Sequence, residues 1–240
     1  MKKIFKIISL LTFTFYSTFV YSNLARAVEA SSYINTIYAV NLCGPGSSLT
    51  ACVGPVVLGS STSGTTFDLG SVAAGASAGN MGNLSAAVSG TTYSFAQVIL
   101  SRAFTVTGEA AATGTRCRTE TDNEFDVSSP SAVTGSNDTA AAESQIIGIP
   151  SGNTITSNMI GTTSLTGLDG ADNSSGNGNI ANAEPRVKFR FALTTPITIV
   201  QGKLPTFTIS FDLSNALTFS GGATCTATPG APSVTASFSN

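Results

Sequence analysis

Histidine and tryptophan are absent from this chain, and charge is scarce. Without histidine, no side chain offers an unperturbed pKa near neutrality, so a Ser–His–Asp or Cys–His arrangement has no base to work with. Without tryptophan, the aromatic platforms common in glycosidases would have to come from the five tyrosines or fourteen phenylalanines. Charged residues make up 10% of the chain, against about 25% in an average soluble protein. Ser, Thr, Ala, Asn and 24 Gly fill the space. Such a neutral, hydroxyl-rich surface suits an extracellular or structural role better than a cytosolic enzyme. The 42% hydrophobic content excludes wholesale disorder.

Only one long apolar run is present, at the start. Lys2, Lys3 and Lys6 precede Ile4 to Val20, and Ala25-Arg26-Ala27 follows as a small-x-small cleavage site. This order predicts an export signal over 1–27 and a mature chain from Val28. Thr12, Thr14, Ser17 and Thr18 interrupt the run, and no stop-transfer cluster follows it, so no transmembrane span is expected in the mature chain. Removing Lys2, Lys3, Lys6 and Arg26 from 11 Lys+Arg leaves 7 against 13 Asp+Glu, a net charge of −6. That balance makes nucleic acid an improbable partner.

The remaining 240 − 27 = 213 residues are enough for one large domain, expected over 28–240. Four cysteines in an exported chain read as two disulfides with three possible connectivities. The expected pairing is Cys43 with Cys52, closing a short loop around Gly44-Pro45-Gly46, and Cys117 with Cys225. No CxxC pair supports zinc.

Alternation of apolar and polar residues, the mark of half-buried strands, runs through the chain. Ile34, Tyr38, Val40 and Leu42 share one parity; Val56 and Leu58 follow the Cys52 turn, and Phe67 and Leu69 follow a Ser/Thr/Gly loop. From Tyr93 to Val106, Tyr93 and Phe95 oppose the parity of Val98, Leu100, Phe104 and Val106, which calls for a bulge near Ala96-Gln97. Val187, Phe189, Phe191 and Leu193, then Phe207, Ile209, Phe211 and Leu213, predict two adjacent antiparallel core strands joined through Gln201-Gly202-Lys203. The stretches 108–144 and 151–182 read as long loops, with one helical turn at Ala140 to Glu143 at most. Many short strands between Gly/Ser/Asn turns predict an all-β sandwich.

Candidate chemistry is sparse. Gly75-Ala76-Ser77-Ala78-Gly79 matches the GxSxG nucleophile elbow, but the elbow needs a base and a β/α pattern that this chain lacks. Lys188 and Lys203, the only lysines past the leader, do not complete an SxxK motif. Asn173 to Glu184 has the outline of a twelve-residue calcium loop, with Asn173, Ser175, Asn177, Asn179 and Glu184 as the expected ligands; Asn173 stands where a carboxylate is usual. The competing reading is a polar loop feeding the next strand. Glu120, Asp122, Glu124 and Asp126 read as a solvated acidic surface. Arg186, Lys188 and Arg190 form a cationic stripe on one strand, either a solvated face or a contact for an anionic glycan. Asn83, Asn137 and Asn173 begin glycosylation sequons.

Gly90-Thr91-Thr92-Tyr93, followed by Phe95, Val98 and Leu100, and the opening Tyr38-Ala39-Val40-Asn41-Leu42 strand resemble bacterial secreted prealbumin-like and immunoglobulin-like sandwich domains. The resemblance implies a fold and an envelope setting and names no activity. In composition the chain is also similar to chaperone–usher fimbrial subunits. It departs from them in the closeness of Cys43 to Cys52 and in lacking a penultimate tyrosine. Taken together, these readings predict an exported, non-enzymatic envelope or surface protein, secreted, periplasmic or on the outer cell surface, acting as a structural or adhesive β-sandwich unit. Its partner would be a protein joined through an edge strand, a further copy of itself, or an envelope or extracellular glycan. The alternative is a glycan-binding module, calcium-assisted.

Overall fold

The computed structural model describes residues 26–71, 81–112, 115–119, 132–134, 143–146, 159–166, 168, 184–203, 205–221, 225–230 and 232–239. Among them the protein is all-β and every pairing is antiparallel; the only helical features are two three-residue 3-10 turns, Leu69–Ser71 and Leu84–Ala86. In chain order the strands are β1 (Arg26–Val28), β2 (Ser32–Cys43), β3 (Val56–Asp68), β4 (Thr92–Thr107), β5 (Glu109–Ala112), β6 (Thr115–Thr119), β7 (Ala132–Thr134), β8 (Glu143–Ile146), β9 (Met159–Thr162), β10 (Arg186–Thr198), β11 (Thr206–Asp212), β12 (Leu217–Gly221), β13 (Cys225–Pro229) and β14 (Ser233–Ser239).

The central sheet has the order β3-β2-β4-β10-β9. β4 is its axis: one side pairs with β2 along nearly its whole length, and the other takes β10 from Thr92 to Ser101 and β8 from Ala103 to Val106. Alternation in β2 is broken by a slip in register between Ile37 and Ala39, which changes the parity facing the core. Tyr33 and Ile37 lie in the core before the slip, Val40 and Leu42 after it. Ile34 and Tyr38, expected beside Val40 and Leu42, turn to the opposite face and are half-buried. In β4, Tyr93 and Val98 both reach the core despite opposite parity; the pairing with β10 slips between Tyr93 and Phe95, not at Ala96-Gln97.

Three further expectations are corrected. β10 and β11 are not neighbours: β10 lies between β4 and β9, and β11 pairs with β14. Residues Arg186 to Ala192 register against Phe95 to Ser101 of the longest strand. Pro196, which has no N–H to give, sits in the irregular stretch beyond, after which the chain leaves for another sheet. The Ser/Thr/Gly stretch within 56–68, expected as a loop, lies inside β3, where Ser60 registers with Ala39 and Thr65 and Thr66 with Ile37 and Thr36, while the register shifts across the residues between and Gly64 takes a φ of 74°. The supposed loop 108–144 holds β5, β6, β7 and the start of β8, and 151–182 holds β9.

Smaller sheets complete the fold: β1-β12-β13, β5-β6-β7 and β11-β14. One hydrophobic cluster draws on all four sheets, with Tyr33, Leu42, Val98 and Phe191 from the central one, Leu217 and Phe219 from β12, Ala110 from β5 and Ala236 from β14. Tyr33 stacks on Phe104 at 4.9 Å, and Phe207 on Phe238 at 4.8 Å. Burial raises the pKa of the Tyr33 hydroxyl well above its ordinary value. Asp68 fastens one end of the sheet by accepting from the Tyr33 and Gly70 amides, each at 3.0 Å, and from the Ser32 hydroxyl at 3.1 Å. Residues 1–25 of the expected leader lie outside the described residues. Arg26 and Ala27 pair with Phe219 and Thr218, so cleavage after Ala27 would leave only the Val28 pairing of β1.

Candidate functional site

Arg186, Lys188 and Arg190 alternate with core residues along β10, so all three point to the sheet face opposite the hydrophobic cluster. That face is not solvated. Lys188 and Arg190 are each 2% exposed and Arg186 is half-buried, which corrects the expected solvated stripe. An external glycan could reach only Arg186 of the three. Burial of a guanidinium needs hydrogen bonds to replace water, and the cross-strand neighbours supply them. Asn41 of β2, Gln97 of β4 and Arg190 of β10 are in register across three adjacent strands, all buried. Arg190 Nε donates to Gln97 Oε1 at 2.9 Å, and its Nη1 donates to the Thr50 carbonyl at 2.8 Å. Asn41 Nδ2 donates to the Thr166 carbonyl at 2.8 Å.

These bonds fix both amides. A flip of Gln97 would turn an N–H toward Arg190, and a flip of Asn41 would set one oxygen against another. What remains is the acceptor Asn41 Oδ1 and the donor Gln97 Nε2, neither with a hydrogen-bond partner. An unanswered buried polar atom costs about 1–3 kcal/mol. One row further along, Lys188 lies opposite Ile99 on one side and Ile160 on the other. The outermost cation, Arg186, places its guanidinium 4.4 Å from the Tyr38 ring centre and donates to the Thr163 carbonyl at 3.0 Å.

Two loops close this face. Residues 163–166 cross it from Arg186 to Asn41 and offer the Thr163 and Thr166 carbonyls. The second loop, 44–51, is clasped by the Cys43–Cys52 disulfide, with Cα atoms 5.0 Å apart. Inside the clasp the Gly44 amide donates to the Val53 carbonyl at 2.7 Å and the Ser48 amide to the Ala51 carbonyl at 2.8 Å. The Ser47 hydroxyl accepts from the Val53 amide at 2.9 Å and donates to the Gly44 carbonyl at 2.6 Å. Gly46 and Gly54 make the turns at φ of 83° and 49°, which only glycine adopts without strain. Cys117 is buried and disulfide-bonded as well. The side chain of Cys225 lies outside the described residues, but its strand, β13, packs beside β6, the strand of Cys117.

Elsewhere, Arg102 is buried on β4 and its Nη1 donates to the Glu184 carbonyl at 2.9 Å. Desolvation lowers its pKa, and the negative charge of Glu184 partly restores it. Of the expected calcium ligands, only Glu184 is among the described residues; Asn173, Ser175, Asn177 and Asn179 lie outside them, as do Gly75 to Gly79 and Glu120 to Asp126. The described residues contain no group of three metal-ligating side chains. Asn83, first residue of a sequon, accepts the Ser85 amide at 2.9 Å and caps the second 3-10 turn. Asn41, Gln97, Tyr38 and Arg102 were not singled out in the sequence as site residues. Their signal was there: Asn41 and Gln97 each interrupt an otherwise apolar run, as a polar residue does where both faces of a strand are buried.

No protein-family model matches the chain, and neither a curated protein nor a solved structure matches it.

Proposed function

We propose that the chain is an exported, non-enzymatic protein of the cell envelope or surface, working as a structural or adhesive unit. In this reading 28–240 is one immunoglobulin-like or prealbumin-like sandwich: the central sheet is one layer, and β11-β14 with β1-β12-β13 supply the other. Cys117 pairs with Cys225 to tie the β5-β6-β7 sheet to β13 of the second layer, a linkage that a non-reducing peptide map would reveal. The observation that carries the proposal is the border strand β3. It is thirteen residues long and holds no charge and no proline from Val56 to Phe67. Border strands of monomeric proteins are commonly blunted by lysine, proline or extreme shortness, because their free N–H and C=O groups template further pairing.

Near its start β3 is guarded. The Leu58 carbonyl accepts from the Asn83 amide at 3.0 Å, and a Cβ at Gly59 would collide with the Met81 carbonyl. From Ser60 to Phe67, no described strand pairs with its outer side, although the register against β2 shifts between Ser60 and Thr65. That stretch accepts a strand from another copy by antiparallel addition. The test is sedimentation of the purified oxidised protein over a range of concentrations. Wild type is expected to form concentration-dependent oligomers, and the double variant Ser60→Lys, Thr62→Lys, at two exposed positions, to remain monomeric. A wild type that stays monomeric throughout would remove the basis for assembly through this edge.

A further inference from the structure

The ends of the central sheet differ in what their loops expose. At the Cys43 end four segments come together: the clasp, the turn before β4, the turn after β10, and the end of the 163–166 loop. The Gly90 amide donates to the Ile199 carbonyl at 2.8 Å and the Ile199 amide to the Thr91 carbonyl at 3.1 Å, tying two of these segments. The bond from Asn41 to Thr166 brings the fourth segment to within two residues of Cys43. Leu49, Val53, Val88, Leu168 and Val200 all lie here, and they are the exposed large hydrophobic residues of the described chain, 42 to 57% exposed. Charge is sparse at this end, although Asp169 follows Leu168 in the sequence. From Ala30 to Ser101 the single charged residue is Asp68, at the far end of β3, and from Phe191 to Pro205 it is Lys203.

We infer that this end docks on a lipid bilayer, sinking its aliphatic tips into the boundary between headgroups and acyl chains. Entry into hydrocarbon demands that backbone polar groups be answered internally, and the clasp answers six of its amides that way. Within it the amides of Gly44, Ser47, Ser48, Thr50, Ala51 and Val53 all donate to loop carbonyls or to loop hydroxyls. Its disulfide holds that arrangement while Leu49 and Val53 face outward. Apolar patches of this kind mark protein or membrane contacts. Separate aliphatic tips on convex turns suit a fluid partner that closes around each one. With one lysine at the rim and Asp169 beside Leu168 in the sequence, the surface carries no cationic cluster, so it recognises the apolar boundary itself and not anionic headgroups. No described helix is long and apolar enough to cross a membrane; the contact is peripheral. It does not use the outer side of β3.

Because the chain has no tryptophan, a single introduced one reports its own surroundings. Leu49→Trp and Val200→Trp are made in the full oxidised protein, with Thr228→Trp, exposed on β13, as the reference. On adding phosphatidylcholine vesicles, the first two should shift their emission to the blue and be quenched by brominated acyl chains, while Thr228→Trp does neither. Wild type should float with the vesicles, and Leu49→Ser combined with Val200→Ser should cut the bound fraction roughly tenfold. Four outcomes overturn the inference: no shift or quenching, an equal response from Thr228→Trp, binding that requires anionic lipid, or a blue shift that grows with protein concentration in the absence of lipid. The last would mean self-association through the same tips.

Discussion

Leu42 and Asn41 are consecutive in β2, yet they meet opposite conditions. Leu42 lies with Val98 and Phe191 in the hydrophobic cluster; Asn41 lies with Gln97 and Arg190 beneath two loops. Both sides of the central sheet are shut to water, but the means differ. One face is held by area, which is non-directional and tolerates changes that conserve volume. The other is held by carbonyls placed within 2.8–3.0 Å of particular donors, and it fails if one placement is lost. A buried cation therefore ties the stability of this face to the loops above it.

The largest effect should separate the two faces directly. Arg190→Ala is expected to cost about 1–3 kcal/mol for each buried acceptor it leaves unpaired, the Gln97 amide oxygen and the Thr50 carbonyl, and Leu42→Ala about 2–5 kcal/mol by opening a cavity. The conservative partners sharpen the contrast. Leu42→Met should cost less than about 1.5 kcal/mol, whereas Arg190→Met leaves the Gln97 and Thr50 acceptors as unpaired as alanine does and should recover only the lost packing. Urea denaturation of the four variants measures all of this. If Arg190→Ala costs no more than an ordinary surface change, the distinction between the faces collapses.

The next effect concerns the cover. Replacing both Cys43 and Cys52 by serine should lower stability by about 2–4 kcal/mol, and faster hydrogen exchange should follow in the strands bearing Asn41, Gln97 and Arg190 but not in β11 and β14. Uniform acceleration across all strands would show that the clasp serves the whole fold and not one face. The smallest effect comes from a charge on neither face. Asp212, fully exposed at the end of β11, accepts the Ser214 amide at 2.9 Å, and this bond together with the Ser214 hydroxyl lowers its pKa. A depressed carboxylate pKa stabilises the folded state above the unfolded value of about 3.9, and the contribution fades as pH falls through the folded pKa. The melting-temperature gap between wild type and Asp212→Ala should thus be present at pH 6 and close as pH falls below the carboxylate range.

Much of this fold was legible residue by residue, and the failures have physical causes. Alternation located the strands around Val40, Val98, Phe191 and Ile209, and the spacing of Cys43 and Cys52 located the clasp. The slip at Ile37–Ala39 was invisible because Ile34 and Tyr38 are as apolar as the residues that replace them in the core row. β5, β6 and β3 were read wholly or partly as loops because alanine, threonine and serine carry little contrast between faces, although threonine pairs well in sheets. The cationic stripe was legible as a pattern but not as an environment: Arg186, Lys188 and Arg190 alternate identically whether water or a loop covers them. What decides the matter is the carbonyl of Thr50, 140 positions away, and no local pattern reports it.

That distance has a consequence for how the fold responds to reductant. Thr50 reaches Arg190 from a loop joined by two oxidised sulfurs, so opening that bond is expected to loosen an acceptor of the interior charge and the outward placing of Leu49 together.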